Sequence, residues 1–260
     1  PVGFFANTTN QTSCHVCETG QFSDAKGSAK CTSCGAGQYS NVSGMNCTNC
    51  DKGQFRASDD KEPEMCDACP EGYYQDIQGQ ASCLPCLPGE FGNETGLHSC
   101  YKCAVGKASE VAESTNCSHC EAGQSSDSEG SAKCTPCGAG KYSNEQGQRD
   151  CQECEKGQYR AGDDADAKTC DECPEGFHQN SKGQASCLPC LPGQFGNATG
   201  MQECHTCDIG KVSEDQNATK CLDCEAGQSS DAKGSAKCTS CGAGQYSNVM
   251  GEECKDCSKG

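Results

Sequence analysis

Thirty cysteines stand in a chain of 260 residues, all of them in CxxC pairs, fifteen pairs from Cys14/Cys17 to Cys254/Cys257. Three kinds of chemistry suit such pairs. Two neighbouring pairs, separated by about 13 residues here, can hold one zinc ion through four thiolates. One CxxC at a helix N-terminus in a βαβ context can carry out thiol–disulfide exchange. Pairs that oxidise with one another can staple a chain too poor in apolar residues to fold around a core.

The asparagines bear on the choice, because they report the compartment. Of the 12 in the chain, 8 lie in Asn-x-Ser/Thr sequons: Asn7, Asn10, Asn41, Asn46, Asn93, Asn116, Asn197 and Asn217. Asn46 and Asn116 have a cysteine in the middle position, which leaves six clear acceptors. This excess implies passage through a glycosylating, oxidising pathway and a secreted or extracellular destination, where cysteines are bridged. Zinc is disfavoured further by the acidity and by a repeat that never alternates ligand type. Exchange chemistry needs one such motif on a helix, not fifteen in glycine-rich loops.

The remaining chemistry-bearing residues do not converge. His15, His98, His119, His178 and His205 fall at different places in the repeat, with no nucleophile in common. No catalytic constellation and no cofactor is expected, and the chain reads as a non-enzyme. Paired acids at Asp59/Asp60 and Asp163/Asp164, with Glu62, Glu64 and Asp166 nearby, offer hard oxygens to calcium. A solvated acidic loop is the commoner meaning of such a run, and it is the one adopted. Leu, Ile, Val and Phe together number 22, Trp is absent and the net charge is −17. Without staples that composition would be disordered. The negative charge argues against nucleic acid and anionic membranes as partners and suits solubility, cation binding or a basic partner. No signal peptide or transmembrane run is present.

Behind these residues lies one repeated unit. Successive pairs begin 17 residues apart ten times, 16 twice and 19 twice. Three residues after every pair comes a glycine, from Gly20 to Gly260, and usually an aromatic two residues later, as in Phe22, Tyr39 and Phe55. An invariant glycine implies positive φ or a close backbone approach. A second glycine, such as Gly27 or Gly44, often follows the aromatic by five residues. The unit reads as a short extended segment carrying the aromatic, a glycine turn, and a return to the next cysteine, with helix disfavoured. Each ring is expected to cap a neighbouring disulfide or glycine.

A longer period overlies the short one. GQASCLPCLPG occupies 79–89 and again 183–193, and residues 17–42 match 224–249 at all but two positions. Six modules make a super-repeat of 103 or 104 residues. The chain divides into 1–30, the end of one super-repeat; 31–133 and 134–237, two whole ones; and 238–260, the start of another. Both ends fall inside a module, so the natural protein is expected to be longer.

The stretch Cys34-GAGQYSNVSGMN-Cys47 resembles the small one-bridge module of tumour necrosis factor receptors and the ephrin-receptor-like cysteine-rich repeats of extracellular surface proteins. The larger six-cysteine units of tumour necrosis factor receptors are missing. The resemblance implies that the cysteine before the Gly-x-aromatic pairs with the next one along. Its ladder is Cys17–Cys31, Cys34–Cys47, Cys50–Cys66, Cys69–Cys83, Cys86–Cys100, Cys103–Cys117 and Cys120–Cys134. It continues through Cys137–Cys151, Cys154–Cys170, Cys173–Cys187, Cys190–Cys204, Cys207–Cys221, Cys224–Cys238 and Cys241–Cys254, leaving Cys14 and Cys257 to partners beyond the chain. Spacing alone leaves open a second ladder of the type Cys14–Cys31 with Cys17–Cys34.

The expected fold is therefore a small disulfide-rich repeat, irregular with short β-hairpins, stacked as an extended solenoid-like rod. The expected function follows from shape: a structural extracellular glycoprotein, scaffolding a cell surface, matrix or filament, associating with itself or with other extracellular proteins. The alternative is a receptor or adhesin ectodomain that binds a protein ligand. N-glycans are expected at Asn7, Asn10, Asn41, Asn93, Asn197 and Asn217.

Overall fold

The computed structural model describes residues 1–58, 62–163 and 167–258. Among them are fifteen antiparallel hairpins of two-residue strands, and each is a sheet of its own. The first is β1 (Phe4–Phe5) with β2 (His15–Val16), the second β3 (Gln21–Phe22) with β4 (Thr32–Ser33). In every hairpin the first strand ends at the aromatic position and the second is the dipeptide between the two cysteines of a pair. Gln21 thus faces Ser33, and Phe22 faces Thr32.

The conserved spacing between cysteine and glycine is that of a tight turn. In the Leu87–Glu90 turn the Glu90 amide donates to the Leu87 carbonyl at 2.9 Å, and Gly89 has φ +89°. Positive φ at the third position with Pro88 at the second matches a type II turn, in which proline presets the entry and glycine supplies the left-handed residue. The turn aims the chain straight into the strand, and the Cys103 amide closes the hairpin on the Gly89 carbonyl at 2.9 Å.

The chain forms two compact units. One comprises Pro1–Cys120 with Ser126–Cys134, the other Glu121–Ser125 with Thr135–Gly260. In the first unit the modules follow one another by a fixed set of backbone bonds. The Gly37 amide donates to the Arg56 carbonyl of the next module at 2.8 Å, and the Gly79 amide donates back to the Cys50 carbonyl at 2.9 Å. The second unit repeats the scheme: the Gly140 amide reaches Arg160 at 2.8 Å, and the Gly183 amide reaches Cys154 at 2.9 Å. Stacking is therefore solenoid-like within each unit, one hairpin upon the next.

Sulfur takes the place of a hydrocarbon core. The inner cysteines Cys17, Cys50, Cys69, Cys86 and Cys103 are fully buried in the first unit, and Cys154, Cys173, Cys190 and Cys207 in the second. Around them lie small or polar side chains rather than leucines, whose scarcity in the composition this explains. Most of the leucines, among them Leu84, Leu87, Leu188 and Leu191, stay exposed.

Candidate functional site

Each rung but Cys241–Cys254, where both cysteines are partly exposed, is built from a buried inner cysteine and a partly exposed outer one. In the first unit the bridges join Cys17 to Cys31, Cys34 to Cys47, Cys50 to Cys66, Cys69 to Cys83, Cys86 to Cys100, Cys103 to Cys117 and Cys120 to Cys134. In the second they join Cys137 to Cys151, Cys154 to Cys170, Cys173 to Cys187, Cys190 to Cys204, Cys207 to Cys221, Cys224 to Cys238 and Cys241 to Cys254. Every bridge closes one hairpin, because the cysteines flank its two strands. The longer modules simply enlarge the loop, from 13 residues at Cys34–Cys47 to 16 at Cys50–Cys66. These sulfurs are bonded to one another and offer no thiolate to a metal. Cys14 and Cys257 are exposed thiols.

The position after the aromatic is the one that sequence reading passed over. Apart from Gly92 and Gly196, it holds Ser23, Ser40, Arg56, Gln75, Ser109 and Ser126 in the first unit, and Ser143, Arg160, Gln179, Ser213, Ser230 and Ser247 in the second, all buried. Each residue type satisfies the surrounding backbone in its own way. Ser40 Oγ donates to the Val42 carbonyl of its own loop at 3.2 Å. Gln75 spans its loop, donating to Ser82 O at 2.7 Å and accepting from the Ile77 amide at 3.0 Å. Arg56 reaches back a whole module, and its Nη1 donates to the carbonyls of Cys34, Gly35 and Gln38 at 3.3, 2.9 and 2.7 Å. Arg160 does the same in the second unit, to Cys137, Gly138 and Lys141 at 3.1, 2.8 and 2.9 Å. Only the restriction of this position to small or hydrogen-bonding residues could have revealed it.

Phe91 and Tyr101 pair across a hairpin with ring centroids 5.6 Å apart, as do Phe5 with His15 at 5.6 Å and Phe195 with His205 at 5.4 Å. At His178, which occupies an aromatic position, Nδ1 lies 3.1 Å from Cys204 Sγ of the next rung. Tyr101 also donates its hydroxyl to Glu94 at 2.8 Å, and that bond, with the carboxylate charge, raises its pKa above the usual phenol value. A hydrogen bond to Glu113 raises Tyr73 likewise.

The sequons all present exposed asparagines: Asn7, Asn10, Asn41, Asn46, Asn93 and Asn116 in the first unit, Asn197 and Asn217 in the second. Asn10 and Asn217 also stand where other modules have the turn glycine, with φ +65° and +63°. Asparagine tolerates that backbone better than most residues. Of the acidic loops, Glu62, Glu64 and Asp163 are exposed. Asp59, Asp60, Asp164 and Asp166 lie outside the described residues, as does Gly260. The five histidines sit in five different modules, His15, His98 and His119 in one unit and His178 and His205 in the other. Surface depressions are open grooves, such as one of about 450 Å³ lined by Thr19, Tyr39, Asn41, Gln54, Glu64 and Met65.

Part of the chain has a counterpart among known families. The family model described as tyrosine-protein kinase ephrin type A/B receptor-like matches residues 57–96, 123–168 and 162–202. These stretches of the chain are similar to ephrin-receptor-like cysteine-rich repeats. No curated protein matches the chain. The matched stretches fall in both compact units and span several successive rungs, and these repeats, like the bridges, point to an extracellular or cell-surface setting. No helix among the described residues is long and apolar enough to cross a membrane.

Proposed function

We propose that this chain belongs to a secreted structural glycoprotein, a scaffold of a cell surface, matrix or extracellular filament, and that it is not an enzyme. The observation that carries the reading is the repetition of one set of bonds. Gly37 to Arg56 and Gly79 to Cys50 in one unit recur as Gly140 to Arg160 and Gly183 to Cys154 in the other. Super-repeats that keep the same module order also offer equivalent surfaces more than once in one chain, which favours self-association. N-glycans on Asn7, Asn10, Asn41, Asn93, Asn197 and Asn217 would keep the surface hydrated and shield it from proteases.

A second reading rests on the family match, whose description names a receptor. In it, some modules bind a protein ligand. Electron microscopy of the purified native protein separates the two: the scaffold reading expects filaments or ordered lateral arrays. Dispersed single particles that bind a soluble protein stoichiometrically would decide for the receptor reading. Glycopeptide mapping of the same material should find sugar on Asn93, Asn197 and Asn217, and all three bare would refute the glycoprotein part.

A further inference from the structure

We infer that the Cys190–Cys204 bridge is a thiol-exchange site, at which a small thiol of the glutathione class attacks Cys204 with His178 acting as its base. The geometry of the rungs leads there. The side chain five residues past an inner cysteine reaches the outer sulfur of the following rung: Cys151 Sγ lies 3.3 Å from Ser125 Oγ, and Cys204 Sγ 3.1 Å from His178 Nδ1. At the other thirteen such positions, from Phe22 to Tyr246, the sequence has phenylalanine, tyrosine, serine, alanine or valine. His178 alone brings a ring nitrogen to a bridge in this way.

Access and proton transfer both favour reaction at this rung. Cys190 is fully buried, whereas Cys204 and His178 are partly exposed, so a thiol meets Cys204 first. The thiolate is the attacking form, and a neighbouring base supplies it. His178 Nδ1, with the ring proton on Nε2, takes the proton of the incoming thiol. The thiolate sulfur bonds to Cys204 Sγ, the Cys190–Cys204 bond breaks, and its electron pair leaves with Cys190. The imidazolium nitrogen and both sulfurs lie within 4.8 Å of one another, so the proton passes on to the Cys190 thiolate. One thiol and one disulfide become a mixed disulfide on Cys204 and a thiol on Cys190, with no other reactant consumed.

The super-repeat supplies the control within the same molecule. Tyr74 stands where His178 does one period later, and Cys86–Cys100 is the matching bridge. General bases contribute about 10²–10⁴-fold when enclosed, and a partly exposed imidazole should give about tenfold. The full oxidised chain is incubated with reduced glutathione, quenched in acid and mapped by mass spectrometry for glutathione on each cysteine. Cys204 should be modified about tenfold faster than Cys100, and His178→Tyr should bring it down to the Cys100 rate. Tyr74→His should raise Cys100, a gain that no loss of folding at residue 178 can imitate provided the other bridges keep their rates. Equal rates at Cys204 and Cys100 in the unaltered protein, or a Cys204 rate indifferent to His178→Tyr, would overturn the assignment.

Discussion

Gly27 and Gly89 show how differently two glycines can be required. Both have positive φ, +79° and +89°. A Cβ on Gly27 would meet nothing within 4 Å, whereas one on Gly89 would fall on the Gly130 carbonyl oxygen, two modules on. Gly27→Ala should therefore cost only the left-handed backbone, about 1–2 kcal/mol. Gly89→Ala must add the displacement of a backbone carbonyl, about 1–3 kcal/mol more by analogy with overpacked cores. Native-state hydrogen exchange at the Cys103 amide, which bonds to Gly89, reads the second, and exchange at Gly20 and Cys34 reads the first. Equal effects would mean that the close approach to Gly130 contributes nothing. Sequence reading offered positive φ or close approach as alternatives; Gly89 needs both. The distinction was illegible there because it depends on a residue 41 positions away, brought near only by stacking.

At the scale of the element, a two-residue strand cannot stand alone, and an isolated hairpin is marginal in water. The bridge answers the first difficulty. Closing a loop of 14 residues contributes roughly 3 kcal/mol by restricting the unfolded chain. The hairpins themselves were legible, since glycine, aromatic and cysteine recur at fixed distances from a turn. The pairing of rungs was not legible from spacing and came from a resemblance. The buried position after the aromatic escaped notice because its occupants share no single character, being serine in some modules and arginine or glutamine in others. Arg56 tests what that position does. Arg56→Ala removes the donor to three carbonyls of the preceding module and should cost about 2–3 kcal/mol, the usual penalty for buried acceptors left bare. Arg56→Ser, the commoner residue there, should cost less, because serine can turn inward as Ser40 does. Faster exchange at the Gly37 and Cys50 amides, with Gly89 and Cys103 unchanged, is the expected pattern. Unchanged exchange at Gly37 would show that Arg56 is a passenger.

For the whole molecule the decisive quantity is charge. Residues 31–133 carry six bases against fifteen acids, a net −9, and residues 134–237 carry ten against seventeen, a net −7. Both whole super-repeats are acidic, so copies that associate laterally bring like charges together whichever super-repeats face each other. The few ion pairs do not relieve this. Lys233–Asp208 at 2.9 Å and Lys182–Glu155 at 2.8 Å are exposed and neutralise only their own partners. The Lys233 ammonium does hold the Asp208 carboxyl below its usual range, first by its hydrogen bond and then by its charge, so Asp208 stays ionised. Repulsion between copies therefore persists at neutral pH and is reduced only by salt. The Debye length is about 30 Å at 0.01 M and about 8 Å at 0.15 M. If the chain self-associates as proposed, sedimentation of the purified protein should show more large species at the higher ionic strength. Association that weakens as salt is added would mean that opposite charges hold the copies together. The acidic surface would then be a docking face for a basic partner, and the scaffold reading would give way to the receptor one.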